Sequence, residues 1–143
     1  MANMLFYAHS GLRFLVLLAA LIAIAVLLWG WSARRPFAGQ SRAVTAVFTG
    51  VLDLQVTLGI LLVLFRPWYG ALIGHLVMMI AAAFAAHGIT VYGRKQEDPR
   101  RAHMISLIGV ALALLLIIGG IMSIRSSPFQ MSPGMRTMQT SDV

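Results

Sequence analysis

Four apolar runs of about twenty residues or more, joined by short polar connections, dominate this chain, and each has the length of a helix that crosses a bilayer. They extend from Leu5 to Trp31, from Ala43 to Phe65, from Ala71 to Tyr92 and from an Asp98–Pro99 start to Ile124. Together they occupy most of the 143 residues, which leaves no room for a separate folded domain. The composition agrees, with 59% hydrophobic and 10% charged residues and a mean hydropathy of +0.86, where a soluble domain has about a quarter charged residues. A water-soluble protein is excluded. The chain has no cysteine, so disulfides, thiolate metal sites and c-type haem attachment are excluded as well. The net charge of +7 sits in short loops, where arginine and lysine set membrane orientation, and no nucleic-acid function is read from it.

The first run has no Lys or Arg ahead of it, contains Arg13, and is followed by Arg34 and Arg35. A signal peptide has its charge in front and a small-residue cleavage site behind, so this is a retained span. The second run is closed by Arg66 and Pro67, and the third opens only a few residues later, so spans two and three form an antiparallel hairpin. After the polar stretch Arg94, Lys95, Gln96, Glu97, Asp98 reads as the N-cap and Pro99 as the first residue of a fourth helix. The expected fold is an all-α integral membrane protein, an up-down-up-down four-helix transmembrane bundle over residues 1–125. Residues 126–143, rich in Ser, Pro and Met, read as a flexible external tail.

Basic residues give the orientation. Arg34, Arg35 and Arg42 come after span one and Arg94, Lys95, Arg100 and Arg101 after span three, seven in all, against Arg66, Arg125 and Arg136 on the opposite side. The richer side is cytoplasmic, which puts both termini outside. Tyr7, Trp29, Trp31, Trp68, Tyr69 and Tyr92 fall near span ends, the depth that amphipathic rings prefer.

Ionisable groups inside spans mark function by default. Here they are His9, Arg13, Asp53, His75, His87 and His103, with Gln55 as a neutral companion. His9 and His75 lie at similar depth in the outer half, and His87 and His103 near the inner ends of spans three and four. His75 and His87 are 12 residues apart, about 18 Å of rise and about 120° of rotation. One helix thus offers two imidazoles at two depths to two neighbours. Two bis-histidine sites, His9 with His75 and His87 with His103, would suit b-type haem, whose iron takes axial imidazoles in a dry cavity. Ala81, Ala82, Ala83, Ala85, Ala86 and Gly88 leave space for a flat macrocycle, although such faces also serve plain helix packing. Unligated structural histidines and a different metal are the other readings.

Arg13 lies four residues after His9, on the same helix face. Its depth is within about 5 Å of that of Asp53, so a buried Arg13–Asp53 ion pair is expected. The alternatives are that Arg13 holds a haem propionate and that Asp53 carries a proton. Met131, Met135 and Met138 have the spacing of thioether sites for Cu(I), but a polar tail that happens to contain methionine accounts for them better.

The run His9, Ser10, Gly11, Leu12, Arg13, Phe14, Leu15, Val16, Leu17, Leu18 resembles the opening of small bacterial four-helix membrane proteins labelled cytochrome b-like. The likeness continues through Gly74, His75, Leu76, Val77, Met78, Met79 and Arg101, Ala102, His103, and covers most of residues 5–124. The resemblance implies one or two b-type haems, electron transfer in the bacterial inner membrane, a quinol or redox-protein partner and further membrane subunits. Two-haem membrane cytochromes usually pair histidines 13 or 14 residues apart on two helices, a spacing from which this chain departs. A small copper or proton-linked carrier and a cofactor-free structural subunit are the competing functions, and nothing resembles a nucleophile with its base.

The charge asymmetry has a direct test: reporter domains fused after Gly39 and after Lys95 should both read as cytoplasmic, and a periplasmic signal from either would reverse the orientation.

Overall fold

The computed structural model describes residues 2–65 and 69–124. The expectations placed on Arg66, Trp68, Arg125, Arg136 and the tail methionines Met131, Met135 and Met138 lie outside them. Among the described residues every regular element is helical: α1 (Ala2–Ser32), α2 (Gln40–Phe65), α3 (Gly70–Phe84), a π-helical turn (Ala85–Ile89), α4 (Thr90–Arg94) and α5 (Pro99–Ile124). The α3, π and α4 segments run on from one another as a single third span, Gly70–Arg94, so four helices are long and apolar enough to cross a membrane.

Helix is what such sequences must form in hydrocarbon, because a helix satisfies its backbone polar groups internally. Its ends need other partners. The amide of Arg35 bonds the Gly30 carbonyl at 3.0 Å and Arg34 turns left-handed with φ of 51°, a 6→1 closure that ends α1. Asp98 accepts the Arg100 amide at 2.9 Å, with Pro99 as the first residue of α5, so this N-terminus is built as the sequence indicates.

Packing is inverted relative to a soluble bundle. Small residues fill the contacts between helices, with Ala20, Ala23, Ala82, Ala86, Ala102 and Ala113 buried, while Leu15, Leu18, Leu21, Leu64, Phe84 and Leu115 point outward. Hydrocarbon does not drive apolar side chains inward, so helices associate where small side chains let backbones approach. α1 packs against both α2 and α5, and α5 also packs along the third span. Successive spans run antiparallel, and cross-helix pairs such as Thr45 with Arg94 and His75 with Gly120 fix their register. Of the successive spans, two and three, expected as an antiparallel hairpin, touch each other least. They meet through polar ties: Arg94 Nη2 donates to Thr45 Oγ1 at 2.8 Å, and His87 Nε2 lies 2.7 Å from Asp53 Oδ1. Around the bundle the order is α2, α1, α5, third span, then an open seam.

One junction pins three helices together at the end of the bundle that carries Arg34, Arg35 and Arg101. The His103 ring is buried, donates from Nδ1 to the Pro99 carbonyl at 2.7 Å and accepts the Ser41 hydroxyl on Nε2 at 2.9 Å. Phe37 meets it edge-on with centroids 4.9 Å apart. Gly30 of α1 lies against its face, and a Cβ there would overlap the ring. Gly30→Ala should therefore destabilise the protein by about 1–3 kcal/mol, as overpacking of a tight site does, visible as a lower thermal midpoint in detergent. Gly11→Ala, at a position with open space around it, should leave the midpoint near its original value.

Candidate functional site

The polar residues of α1, α2 and α3 converge at the end of the bundle opposite His103. α1 contributes His9 with Ser10 and Arg13, both of the latter buried. Their spacing of one to four residues places them along one inward stripe of the helix. Arg13 also lies over the Phe14 ring, with Cζ 4.7 Å from its centroid. α2 contributes Gln55, buried, and Gly59, where a Cβ would sit 3.0 Å from His9 Cε1. The missing side chain at Gly59 is what allows the His9 ring to lie against α2. α3 contributes His75, anchored on α5.

The two imidazoles are held in the same way. His9 Nδ1 donates to the Gln55 carbonyl at 3.1 Å, and His75 Nδ1 donates to the Gly120 carbonyl at 2.8 Å. A main-chain carbonyl can only accept, so each Nδ1 carries a hydrogen. Gln55 Nε2 completes the clasp, donating to the His9 carbonyl at 3.0 Å and standing 3.4 Å from His9 Nε2. The rings face each other across the bundle with centroids 6.3 Å apart and planes at 84°. Beside them is a cavity of about 30 Å³, lined by His9, Arg13, Gln55 and His75 and by the apolar Val16, Leu52, Met79, Ile117 and Ile121. Gln55 Oε1 is buried at its wall and accepts no hydrogen bond from the protein. The volume suits a water molecule or two.

Two expected pairings are corrected. His87 does not meet His103: its Nε2 is 2.7 Å from Asp53 Oδ1 on the open seam, with side chains 47% and 52% exposed, while both nitrogens of His103 are engaged by Pro99 and Ser41. The π-helical turn is the physical reason, since the extra residue in its ring rotates the rest of the span by about 100° relative to an uninterrupted α-helix. It carries His87 away from α5 and toward α2. The Thr90 hydroxyl bonds the Ala86 carbonyl within the same turn. The second correction is one of azimuth. Asp53 is not the partner of Arg13, because Asp53 faces the seam with His87 whereas Arg13 is buried beside the His9–His75 cavity. Two residues along a helix differ by about 200°, so Asp53 and Gln55 present to opposite sides of α2 and only Gln55 reaches the cavity.

Gln55 and Gly59 carry more of the site than their types suggest. The signal was their spacing of four, a polar group and a gap on one helix face, four residues being one turn. Among the described residues no three His, Cys, Asp or Glu side chains gather as a metal site. Compared with protein-family models, with curated proteins and with solved structures, the chain matches none.

The corrected pairing predicts a pattern of coupling. In double-mutant cycles read from unfolding in detergent, Asp53→Asn and His87→Phe should be non-additive by at least about 0.5 kcal/mol, while Asp53→Asn and Arg13→Ala should add within about that amount, as residues without shared partners do.

Proposed function

We propose that the protein is a membrane b-type cytochrome that holds one haem between His9 of α1 and His75 of α3 and moves electrons within the bacterial inner membrane. The observation that carries this reading is the matched pair of imidazoles, each fixed through Nδ1 to a main-chain carbonyl, the arrangement by which metal-ligating histidines are oriented; the Gln55 amide, 3.4 Å from His9 Nε2, would have to give way to a ligand there. The two rings that would hold the iron stand with centroids 6.3 Å apart. Two imidazoles are too few for a zinc ion, which takes four ligands, and among the described residues no three His, Cys, Asp or Glu side chains gather there. Two imidazoles suffice where a macrocycle supplies the remaining positions. That difference favours haem over a zinc site.

The residues fit the donor requirement, and the space beside them is the smaller part of the match. A cavity of about 30 Å³ admits a macrocycle only if its apolar wall parts. Met79, flexible and unbranched, and the loosely packed side of the bundle between α2 and the third span are where it would give. His9 and His75 would hold the iron, and Arg13 would offer its charge to a propionate carboxylate. When bound, the haem supplies one-electron transfer. The chain's own contribution is to fix the ring tautomers through the Gln55 and Gly120 carbonyls, to hold the His9 ring with the Gln55 amide, and to surround both with Val16, Leu52 and Ile117 so that water is largely excluded, which sets the potential. The electron donor is a quinol or a reduced protein, and the arginine-rich end faces the cytoplasm.

Gently purified protein should show a reduced-minus-oxidised haem spectrum at a stoichiometry near one per chain. His9→Ala and His75→Ala should each abolish or shift the spectrum, and His87→Ala should leave it in place. A stoichiometry near two, or no haem in protein expressed with ample haem supply, would overturn the single-site reading.

A further inference from the structure

The seam between α2 and the third span carries a polar feature that a surface facing hydrocarbon cannot leave bare. Asp53 and His87 hold each other at 2.7 Å, yet about half of each side chain is exposed, and both lie inside helices long and apolar enough to cross a membrane. The other ion pair among the described residues, Asp98 with Arg101, is at the start of α5 beside a loop. Ionisable groups within spans face protein or a water-filled cavity, because hydrocarbon solvates them poorly. The Asp53–His87 face is therefore covered by something polar enough to complete it.

The pair itself says what. An imidazole whose Nε2 meets one carboxyl oxygen still offers Nδ1, which can carry a hydrogen, and the carboxyl still offers its second oxygen as an acceptor. Here the donor is His87 Nδ1 and the acceptor Asp53 Oδ2. Neither atom has a hydrogen-bond partner among the described residues. One donor and one acceptor side by side form a self-complementary unit, the property that a two-fold interface demands, where the same patch meets itself.

The surroundings allow such an approach. Gly50, one turn before Asp53 on α2, and Gly88, next to His87, have nothing within 4 Å of where a Cβ would stand, so a neighbouring helix can come close there. Val47 on α2 and Phe84, 74% exposed, on α3 flank the polar centre with apolar surface. A polar centre with small gaps and an apolar margin is how helices associate in a bilayer.

We propose that the protein forms a two-fold homodimer through the α2 and third-span seam, with His87 Nδ1–H of each copy bonded to Asp53 Oδ2 of the other. The proposal does not rest on haem, and His75→Ala protein should dimerise as the parent does. The natural absence of cysteine makes the test simple. In the full chain reconstituted in phosphatidylcholine vesicles, Gly50→Cys should give a disulfide-linked dimer on mild oxidation. Leu115→Cys, exposed on α5, should give about tenfold less, since disulfide formation needs Cα atoms within about 7 Å. Adding Asp53→Asn and His87→Phe to Gly50→Cys should lower the cross-linked fraction by about tenfold. Equal cross-linking at the two positions, none at Gly50, a cross-link insensitive to the polar pair, or single-step photobleaching of labelled parent chain would each overturn the proposal. The comparison of Gly50 with Leu115 does not depend on how the polar-pair variants fold.

Discussion

In hydrocarbon a polar group has no water to fall back on, and nearly every specific feature of this bundle derives from that. The backbone is satisfied by continuous helix. The side chains that remain polar inside the spans must find partners on neighbouring helices or on their own main chain. Thr45 and Thr49 return to carbonyls three and four residues back. The histidines and Gln55 reach across helices instead, and these crossings fix how the helices sit against one another.

The four histidines illustrate how one residue type divides into different roles under the same constraint. His103 has both nitrogens engaged and is wrapped by Gly30, Phe37 and Ser41, which makes it a fastening and leaves it no lone pair to give. His9 and His75 are tied to main-chain carbonyls by Nδ1, and His9 Nε2 also stands 3.4 Å from the Gln55 amide nitrogen. His87 shares its Nε2 with a carboxylate at an exposed seam. Burial by itself does not assign a role, since the most buried of the four, His103, is a fastening between helices. What distinguishes them is which nitrogen the surroundings occupy.

Small residues do the complementary work. Gly30 and Gly59 are gaps cut to the shape of His103 and His9, and at Gly120 a Cβ would press on Met78 and Met79. The glycine spacing in α1, α2 and α5 is thus tied to the positions of the rings opposite. A bundle with the same hydrophobicity and alanine in those places would have to displace the imidazoles or separate the helices.

Much of this was legible in the residues taken in order. Run lengths fixed the number of spans, the Asp98–Pro99 pair fixed where α5 begins, and helix rise alone placed His9 and His75 at one level. The inner pairing and the Arg13–Asp53 pair were not legible: the first assumed uninterrupted α-helix through residues 85–89, and the second rested on depth alone, without the azimuth that turns Asp53 to the seam and Gln55 to the cavity. A π-helical turn shifts every later side chain in its span by about one residue's rotation, and periodicity carries no mark of it. Which helices become neighbours is likewise a matter of where backbones can approach most closely, decided by the fit of Ala20, Ala23, Ala82, Ala86 and Ala113 across α1, α5 and the third span. The sequence by itself determined helix, span and depth, which depend on local geometry and transfer from water. Only the tertiary structure decided azimuth, the direction in which each polar side chain faces, because azimuth depends on the summed packing of all four helices and on the single turn in which one of them departs from 3.6 residues.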